Sequence, residues 1–345
     1  QLVLIAVVFW PGRGANATAA ALFPDVTVDD VQAMTIQEGE KQIQVARSGD
    51  GWVLPDAGDF PVKAVTVSDT ISKVLQIDTR RLVADDTSSH ARLQVTEEDA
   101  QREVTLETTA GETLTLLVGS SPSFRSTNVR RNDSDAVYTT GSLQATDLRT
   151  DYANWIDTSY LAIPQTDIQA LTVENAQGTL SFTEVSTDTW TLDDLAEGET
   201  FNQNNLTSLL TRFSGLNMVQ PLGKEAQPAY GMENPAATVT IVHQPTGGTA
   251  ETTTLTIGTE PLENGNYVVK SSDSAYYVEV ASFSVENILN RGRADYLQQP
   301  EEDAAGIDGT ESITATEFIS GFGAVTATTP ISGGTPVTAT EAVTP

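Results

Sequence analysis

The chain contains two histidines, and one of them lies near acidic and hydroxyl side chains that could support chemistry. His90 belongs to the segment ADDTSSHARL, in which Asp85 and Asp86 precede two serines. A histidine in this setting could act as a general base or bind a metal ion. A zinc site, however, needs three or four ligands, and the chain has no cysteine and no further histidine at ligand spacing. A serine nucleophile is not indicated either, because no G-x-S-x-G turn is present.

The second histidine, His243, lies in the segment TIVHQP, whose alternation predicts a β-strand. We interpret it as a packing or surface residue, because the corresponding position in the other half of the chain is not a histidine. No Gly-rich phosphate loop occurs, so ATP binding is not expected. We therefore predict that the protein is not an enzyme and that it has no catalytic, cofactor-binding or metal-binding residues and no cofactor.

Two short segments contain oxygen ligands of the kind that calcium prefers, NDSDAV (132–137) and SSDSAY (271–276). A calcium loop alternates several such ligands and ends with a bidentate carboxylate. Neither segment has that spacing, and each precedes a predicted strand that carries a tyrosine. We therefore interpret both segments as turns in which short polar side chains bond to the backbone.

Three arginines, Arg125, Arg130 and Arg131, are interpreted as the only basic cluster of the sequence. Two explanations remain open at this point. The cluster could bind an acidic partner, or its charge could protect an edge strand from pairing with another chain.

The net charge of −29 disfavours several classes of partner. The phosphates of a nucleic acid would be repelled, so no nucleic acid is expected to bind. An anionic lipid surface is disfavoured for the same reason. The absence of cysteine excludes disulfides and thiolate metal sites, but it is compatible with either side of a membrane.

The sequence repeats itself at long range, which is the main indication of its architecture. A polar turn, a Trp-centred strand, an acidic loop and an amphipathic segment follow one another in each half. Matching landmarks lie 138 or 139 residues apart: Trp52 and Trp190, Gly119 and Gly258, Tyr138 and Tyr277. We therefore predict two tandem homologous units.

Each predicted unit is α+β, with antiparallel β-meanders and one packed helix. Alternating apolar residues predict strands on both sides of glycine turns: Gly39, Gly49, Gly111, Gly178 and Gly247–Gly248. Helical spacing predicts one helix after Ser68 and another after an Asn202 cap. The apolar faces of these helices are Ile71, Val74, Leu75 and Ile77 in the first, and Leu206, Leu209, Leu210, Phe213 and Leu216 in the second.

The first residues, QLVLIAVVFW (1–10), are apolar and uncharged, and Pro11 follows them. They supply about half of the roughly 20 residues that a membrane-spanning helix needs. We interpret them as the outer half of an uncleaved anchor, with Trp10 at the lipid interface. A core strand and a signal peptide cleaved near ANATA (15–19) are the alternatives.

The last residues are rich in Thr, Ala, Pro and Gly, which predicts a flexible tail. FISGFGAV (318–325) is the one apolar patch of this tail that could dock on a partner. The complete prediction has five parts, which are the end of an anchor (1–12), a linker (13–24), repeat unit 1 (25–160), repeat unit 2 (161–298) and the tail (299–345).

Several motifs together resemble the bacterial domain of unknown function 4340 family. They are LFPDVTVDDVQAMTI, GDGWVL, SDTISKVLQI, LLVGSSP with AVYTTGS, and LRTDYANW. The resemblance covers about residues 22–298. It implies a single-span protein facing outward, with an accessory role beside an ABC-type permease. The family has no established catalytic residues, so the resemblance assigns none to this chain.

We therefore expect a non-catalytic binding or scaffold subunit in the cell membrane, with most of the chain on the extracytoplasmic side. Its expected partners are the membrane, through the N-terminal helix, and integral membrane subunits such as an ABC permease. The alternative function is that of a structural protein of the cell envelope, and an extracytoplasmic hydrolase is the third hypothesis. A cleft between the units, lined by the 155–165 connection, is the expected binding site.

Overall fold

Antiparallel strands form most of the computed structural model, which describes residues 20–298. One sheet, called sheet I here, contains nine strands: β1 (Val31–Glu38), β2 (Lys41–Ser48), β3 (Gly51–Leu54), β4 (Phe60–Pro61), β5 (Leu82–Ala84), β6 (Arg102–Thr108), β7 (Thr113–Val118), β8 (Thr127–Arg131) and β9 (Val137–Thr140). Their spatial order is β4-β3-β2-β1-β6-β7-β8-β9-β5.

A second sheet, called sheet II, contains eight strands: β11 (Ile168–Asn175), β12 (Gly178–Ser186), β13 (Thr189–Leu192), β15 (Gln220–Gly223), β16 (Ala237–His243), β17 (Glu251–Ile257), β18 (Tyr267–Ser271) and β19 (Tyr277–Val280). Their order is β13-β12-β11-β16-β17-β18-β19-β15, which repeats the order of sheet I without a counterpart of β4. Two short strands, β10 (Ser159–Leu161) and β14 (Leu216–Asn217), pair with each other.

The α-helices within residues 20–298 are α1 (Ala64–Leu75), α2 (His90–Leu93), α3 (Gln203–Phe213) and α4 (Ser282–Asn290). Short 3₁₀ turns connect the other elements: Val28–Asp30, Pro55–Ala57, Thr87–Ser89, Ala145–Asp147, Tyr152–Asn154, Gln165–Asp167, Pro228–Tyr230 and Arg293–Tyr296. Together with the antiparallel sheets, these helices confirm the predicted α+β class.

The predicted helices are present, but their limits differ from the prediction. α1 begins at Ala64 rather than after Ser68, and no side chain of Asn202 caps α3. Ile77 and Leu216 are buried although they lie beyond the helices. The reason is a long-range pairing, because the Ile77 carbonyl accepts a hydrogen bond from the Leu22 amide at 2.7 Å, and Leu216 lies in β14.

Matching irregularities occur at matching places in the two sheets. The pairing of β1 with β6 shifts register between Val31 and Ala33. The pairing of β11 with β16 shifts between Ile168 and Ala170. A bulge adds a residue to one strand and bends it locally. Both sheets therefore have the same strand order and the same bend at the start of their central strand.

Two glycines mark points where another backbone segment comes very close. A Cβ atom at Gly119 would lie 2.3 Å from the carbonyl oxygen of Leu93, and one at Gly258 would lie 2.2 Å from that of Tyr230. Both distances are far below van der Waals contact, so no larger residue fits without a shift of the backbone. The repeated glycine found in the sequence has this packing requirement as its cause.

The matched tyrosines, by contrast, do not occupy the same register. Tyr138 lies opposite Val129, whereas Tyr277 lies opposite Lys270. Arg130 and Lys270 are the corresponding residues, because each turns back onto the carbonyl of a serine in the following turn. The predicted correspondence of Tyr138 with Tyr277 is therefore displaced by one residue, since sequence similarity does not fix strand register.

One hydrophobic core runs through both sheets. It includes Met34 and Leu106 of sheet I, Leu171 and Ile241 of sheet II, and Trp155 of the connection between them. A smaller cluster of Leu93, Val95, Leu117 and Val137 lies apart from this core. Residues 20–298 thus belong to a single compact unit.

The junction between the sheets is packed. The Phe60 ring meets the Tyr276 ring edge to face, with centroids 4.7 Å apart, and the Tyr276 hydroxyl donates to the Asp59 carbonyl at 2.9 Å. Tyr160 donates its hydroxyl proton to the Tyr276 carbonyl and accepts a hydrogen bond from the Ser271 amide. Trp155 is almost fully buried. Trp155 and Tyr160 of the expected 155–165 lining are therefore packed, and the expected cleft between the units is wrong at these two residues.

Within residues 20–298, no helix has the length and apolar character needed to cross a membrane. The predicted anchor (1–12), most of the predicted linker and the tail (299–345), with its patch at 318–325, lie outside the described residues.

The close approaches at the two glycines lead to a first prediction. Gly119→Ala and Gly258→Ala should each lower the free energy of unfolding by about 1–3 kcal/mol, because the added methyl overpacks the site. Gly215→Ala is the matched control, since a Cβ there meets nothing within 4 Å. Urea unfolding of the full chain measures the effect. Equal midpoints for all three variants would contradict the packing argument.

The junction leads to a second prediction. Burial raises the pKa of the Tyr160 hydroxyl, so the folded state holds this proton more tightly than the unfolded state does. Stability supplied by Tyr160 should be complete below about pH 10, the pKa of an unfolded tyrosine, and should be lost as the pH rises further. Tyr160→Phe should therefore make the alkaline loss of stability shallower. Identical slopes of urea midpoint against pH for the wild type and the variant would rule this out.

Candidate functional site

His90 is buried and hydrogen-bonds to the backbone. Its Nε2 lies 2.9 Å from the carbonyl oxygen of Asp135, in the turn before β9. Asp86 accepts a hydrogen bond from the Ser88 hydroxyl, which lowers the pKa of the Asp86 carboxyl, while Asp85 is exposed. These side chains form no common centre, and His90 instead ties α2 to sheet I.

His243 is buried and belongs to a chain of hydrogen bonds that runs to the exposed Asp273. Its Nε2 lies 3.0 Å from the Thr253 hydroxyl, which donates to the Asp273 carboxylate at 2.5 Å. Because Thr253 donates to Asp273, its oxygen accepts from His243, and Nε2 carries the proton. Thr253 is only 1% exposed. A substrate cannot reach this hydroxyl, so the chain links β16, β17 and the turn after β18.

The two acidic segments form turns, as predicted. In 132–137 the Arg131 guanidinium donates to both oxygens of Asp133 at 2.9 and 2.6 Å, and this contact lowers the pKa of Asp133. In 271–276 the Asp273 amide donates to the Ser271 hydroxyl. Across the described residues, no group of three or more His, Cys, Asp or Glu side chains is placed to hold a metal ion.

The arginine cluster of the sequence does not form one site. Arg130 is buried and donates to four backbone carbonyls, which belong to Val95, Arg131, Asn132 and Ser134. Its strand, β8, lies between β7 and β9, so the edge-strand explanation is wrong. Arg131 pairs with Asp133, and Arg125 lies in the turn before β8, over the exposed Phe124 ring.

A buried carboxylate that the sequence did not indicate lies in sheet II. Glu279 is 1% exposed, and its two oxygens accept hydrogen bonds from the side-chain amides of Gln220, Asn264 and Asn266. Hydrogen bonds of this kind are what a buried charge needs in order to be tolerated. Because both carboxylate oxygens are occupied by these three amides, here called the Glu279 cage, Glu279 is not available to bind a ligand. The sequence gives no sign of the cage, because a single glutamate in a strand forms no recognisable pattern.

The polar surface beside α1 contains two adjoining cavities. One, called the arginine cavity here, measures about 410 Å³ and is lined by Gln76, Asp78, Arg80, Arg81 and residues 139–142. The other, called the lysine cavity, measures about 290 Å³ and is lined by Lys73, Asp147 and neighbours that include Trp155. The two cavities adjoin where the Ser142 hydroxyl donates to the Lys73 carbonyl at 3.4 Å.

The charges of these cavities are unevenly paired. Lys73 lies 2.7 Å from Asp147, and Arg80 lies 2.6 Å from Asp78. The hydrogen bonds from Arg80 lower the pKa of Asp78. Among the ion pairs of residues 20–298, none includes Arg81. The arginine cavity therefore contains two guanidiniums and one carboxylate, Asp78, which pairs with Arg80, so the cavity has a net positive charge.

The comparison with protein families places these features in context. A family model described as "Domain of unknown function (DUF4340)" matches residues 52–235, more than half of the chain. The chain belongs to the DUF4340 family. The DUF4340 match confirms the resemblance drawn from the sequence, over a shorter range than the expected 22–298. It runs from β3 to just before β16 and so includes both cavities, together with the sheet I side of the junction but not Tyr276. No curated protein and no solved structure matches the chain.

The amide cage around Glu279 leads to a third prediction. Glu279→Leu should lower the free energy of unfolding by about 1–3 kcal/mol, because the partly buried amides of Gln220 and Asn266 would lose their acceptor, whereas the exposed amide of Asn264 can bond to water. Glu279→Gln should cost much less, since one amide can rotate to restore the bonds. Urea unfolding of both variants provides the test. A leucine variant as stable as the glutamine variant would show that the cage is not needed.

Proposed function

We propose that the protein is a non-catalytic, membrane-anchored binding or scaffold subunit of a larger membrane complex, with its folded part on the extracytoplasmic side. One observation carries the proposal. The Ala20–Leu22 segment pairs with Ile77–Thr79, at the rim of the arginine cavity. The first described residues are thereby fixed beside the polar surface, and a membrane anchor at 1–12 would hold that surface close to the bilayer.

The chemistry of the cavities supports binding rather than catalysis. Both histidines are buried and engaged in hydrogen bonds away from this surface. The cavity walls offer hydroxyls, carboxylates and basic side chains, which suit reversible recognition of a polar partner.

The proposal includes a duplicated architecture. The equal strand order, the paired bulges and the paired glycines support two homologous units, at about 25–160 and 161–298. Homologous units that share one core would give a stiff platform, which suits a subunit that positions other proteins. Integral membrane subunits, with an ABC-type permease as the first candidate, are the proposed partners.

A structural role in the cell envelope is the second candidate, and the edge of sheet I favours it. β5 pairs only with β9, and Leu82 and Val83 are 54% and 44% exposed. An exposed apolar edge can pair with a strand of another chain. This candidate requires that copies of the chain associate with one another.

A pull-down separates the two candidates and forms the fourth prediction. The native full chain, extracted in mild detergent, should co-purify with integral membrane subunits, identified by mass spectrometry. Leu82→Lys should leave these partners in place. Recovery of the chain as a polymer that Leu82→Lys dissolves, and that the control Val185→Lys at an exposed residue does not, would instead establish the envelope role.

A further inference from the structure

The arginine cavity has the chemistry of a site for a phosphate group. Arg80 and Arg81 line this cavity together with Thr139, Thr140 and Ser142. The Thr139 hydroxyl already donates to the Asn128 side chain and the Ser142 hydroxyl to the Lys73 carbonyl, so the arginines are the main donors for a ligand. Arg80 is neutralised by Asp78, so Arg81 supplies the net positive charge. Guanidinium groups and hydroxyls are the side chains that most often hydrogen-bond phosphate oxygens.

A third arginine lies at the same end of sheet I. The start of β8 pairs with the end of β9 through Thr127 and Thr140. A Cβ atom on Gly141, a residue of the cavity wall, would lie 3.3 Å from the carbonyl oxygen of Arg125. Arg81 lies on the other side of β9, where its carbonyl accepts a hydrogen bond from the Thr139 amide. Two basic residues therefore flank the end of β9, about two strand spacings or 10 Å apart along the sheet.

An exposed aromatic ring projects beside these arginines. Phe124 is 88% exposed, the largest such fraction among the large apolar residues in the part of the chain that the structure describes. The Arg125 guanidinium lies 5.4 Å from its ring centroid, and Arg125 has a φ of 55° in a tight turn closed by Ser123 and Ser126. An exposed ring beside arginines suits the boundary between headgroups and acyl chains.

The position of the first described residues places this end of sheet I near the proposed bilayer. Ala20 and Leu22 bond to Thr79 and Ile77, directly before Arg80. Ala20 lies eight positions after the proposed end of the anchor at residue 12, and an extended chain over eight positions spans at most about 30 Å. Phe124 and the arginine cavity are therefore within reach of the lipid surface. This step rests on the proposed function.

We propose that the arginine cavity binds the phosphate of an anionic lipid headgroup, while Phe124 inserts into the same leaflet. The net charge of −29 disfavours an anionic surface overall, but charges more than about 8–10 Å from the cavity are largely screened in water and weaken the site only slightly. The nearby acidic residues Asp85 and Asp86 follow the end of β5 that is farther from Arg81, and Asp86 accepts a hydrogen bond from the Ser88 hydroxyl. The tether also raises the local concentration of headgroups, so a weak site is sufficient.

A fluorescent label can test this proposal, because the chain has no cysteine and a single one can be labelled. Ser123→Cys places the label beside Phe124, and Glu263→Cys places a control label in the matching loop between β17 and β18. The full chain is reconstituted in vesicles of phosphatidylcholine, with or without phosphatidylglycerol. The label at position 123 should report an apolar environment only with phosphatidylglycerol, and the control label should not respond.

The arginines should govern that response, which is the fifth prediction. Arg81→Gln and Arg125→Gln should each raise the phosphatidylglycerol content needed about fivefold, as expected for about 1 kcal/mol per basic residue at an anionic surface. Arg92→Gln, at an exposed arginine of α2, is the control and should change nothing.

The outcomes separate this proposal from the proposed function. If the chain floats with pure phosphatidylcholine vesicles but the label at 123 ignores phosphatidylglycerol, the anchor stands and the lipid site is wrong. If the chain floats only with phosphatidylglycerol and Arg81→Gln abolishes flotation, the lipid site stands and the anchor is wrong. If it floats with neither, both are wrong. If glycerol phosphate binds the detergent-solubilised chain through Arg81 while vesicles give no response, the ligand is soluble and the lipid proposal fails.

Discussion

The contact between a turn of sheet I and the edge of sheet II unites the two sheets. A strand at the end of a sheet has unpaired backbone groups, and β15 is such a strand. Gly58 packs there so tightly that a Cβ atom would lie 3.2 Å from the Cα atom of Gly223. Beside it, Phe60 and Asp59 contact Tyr276. This cover lets one core continue from sheet to sheet, and it also closes the space where a cleft was expected.

Strands, turns and helices that depend on residues close together in the chain could be predicted from the sequence. Alternation located β1, β2, β6, β7, β16 and β17 with their glycine turns, and helical spacing located α1 and α3. The prediction from local patterns was wrong where a residue far away in the chain determines the pairing or the strand register. Ile77 follows the spacing of a helix, yet it pairs with Leu22. Tyr138 and Tyr277 look equivalent, yet their registers differ by one residue.

The candidate site was harder to predict than the fold, for an electrostatic reason. Net charge and clusters of like residues are averages, whereas a site depends on which charges remain without a partner. Arg130 looked like a surface charge and is a buried donor to carbonyls. Arg81 belongs to no sequence motif, but it lines the arginine cavity and forms no ion pair there, whereas Arg80 pairs with Asp78. The Glu279 cage combines Gln220 of β15 with Asn264 and Asn266 of the loop before β18, so no local sequence pattern predicts it.

The same turn contact has a consequence for the opposite edge of the molecule, which is formed by β5 of sheet I. By register, Asp85 of sheet I corresponds to Lys224 of sheet II, and Ala136 corresponds to Tyr276. A further turn with acidic residues like Asp59, arriving at β5, would meet a like charge and find no aromatic ring to pack on. The β5 edge of sheet I therefore would not accept a turn of the kind that β15 accepts, and the outer edges of the two sheets differ in the partners that they can bind.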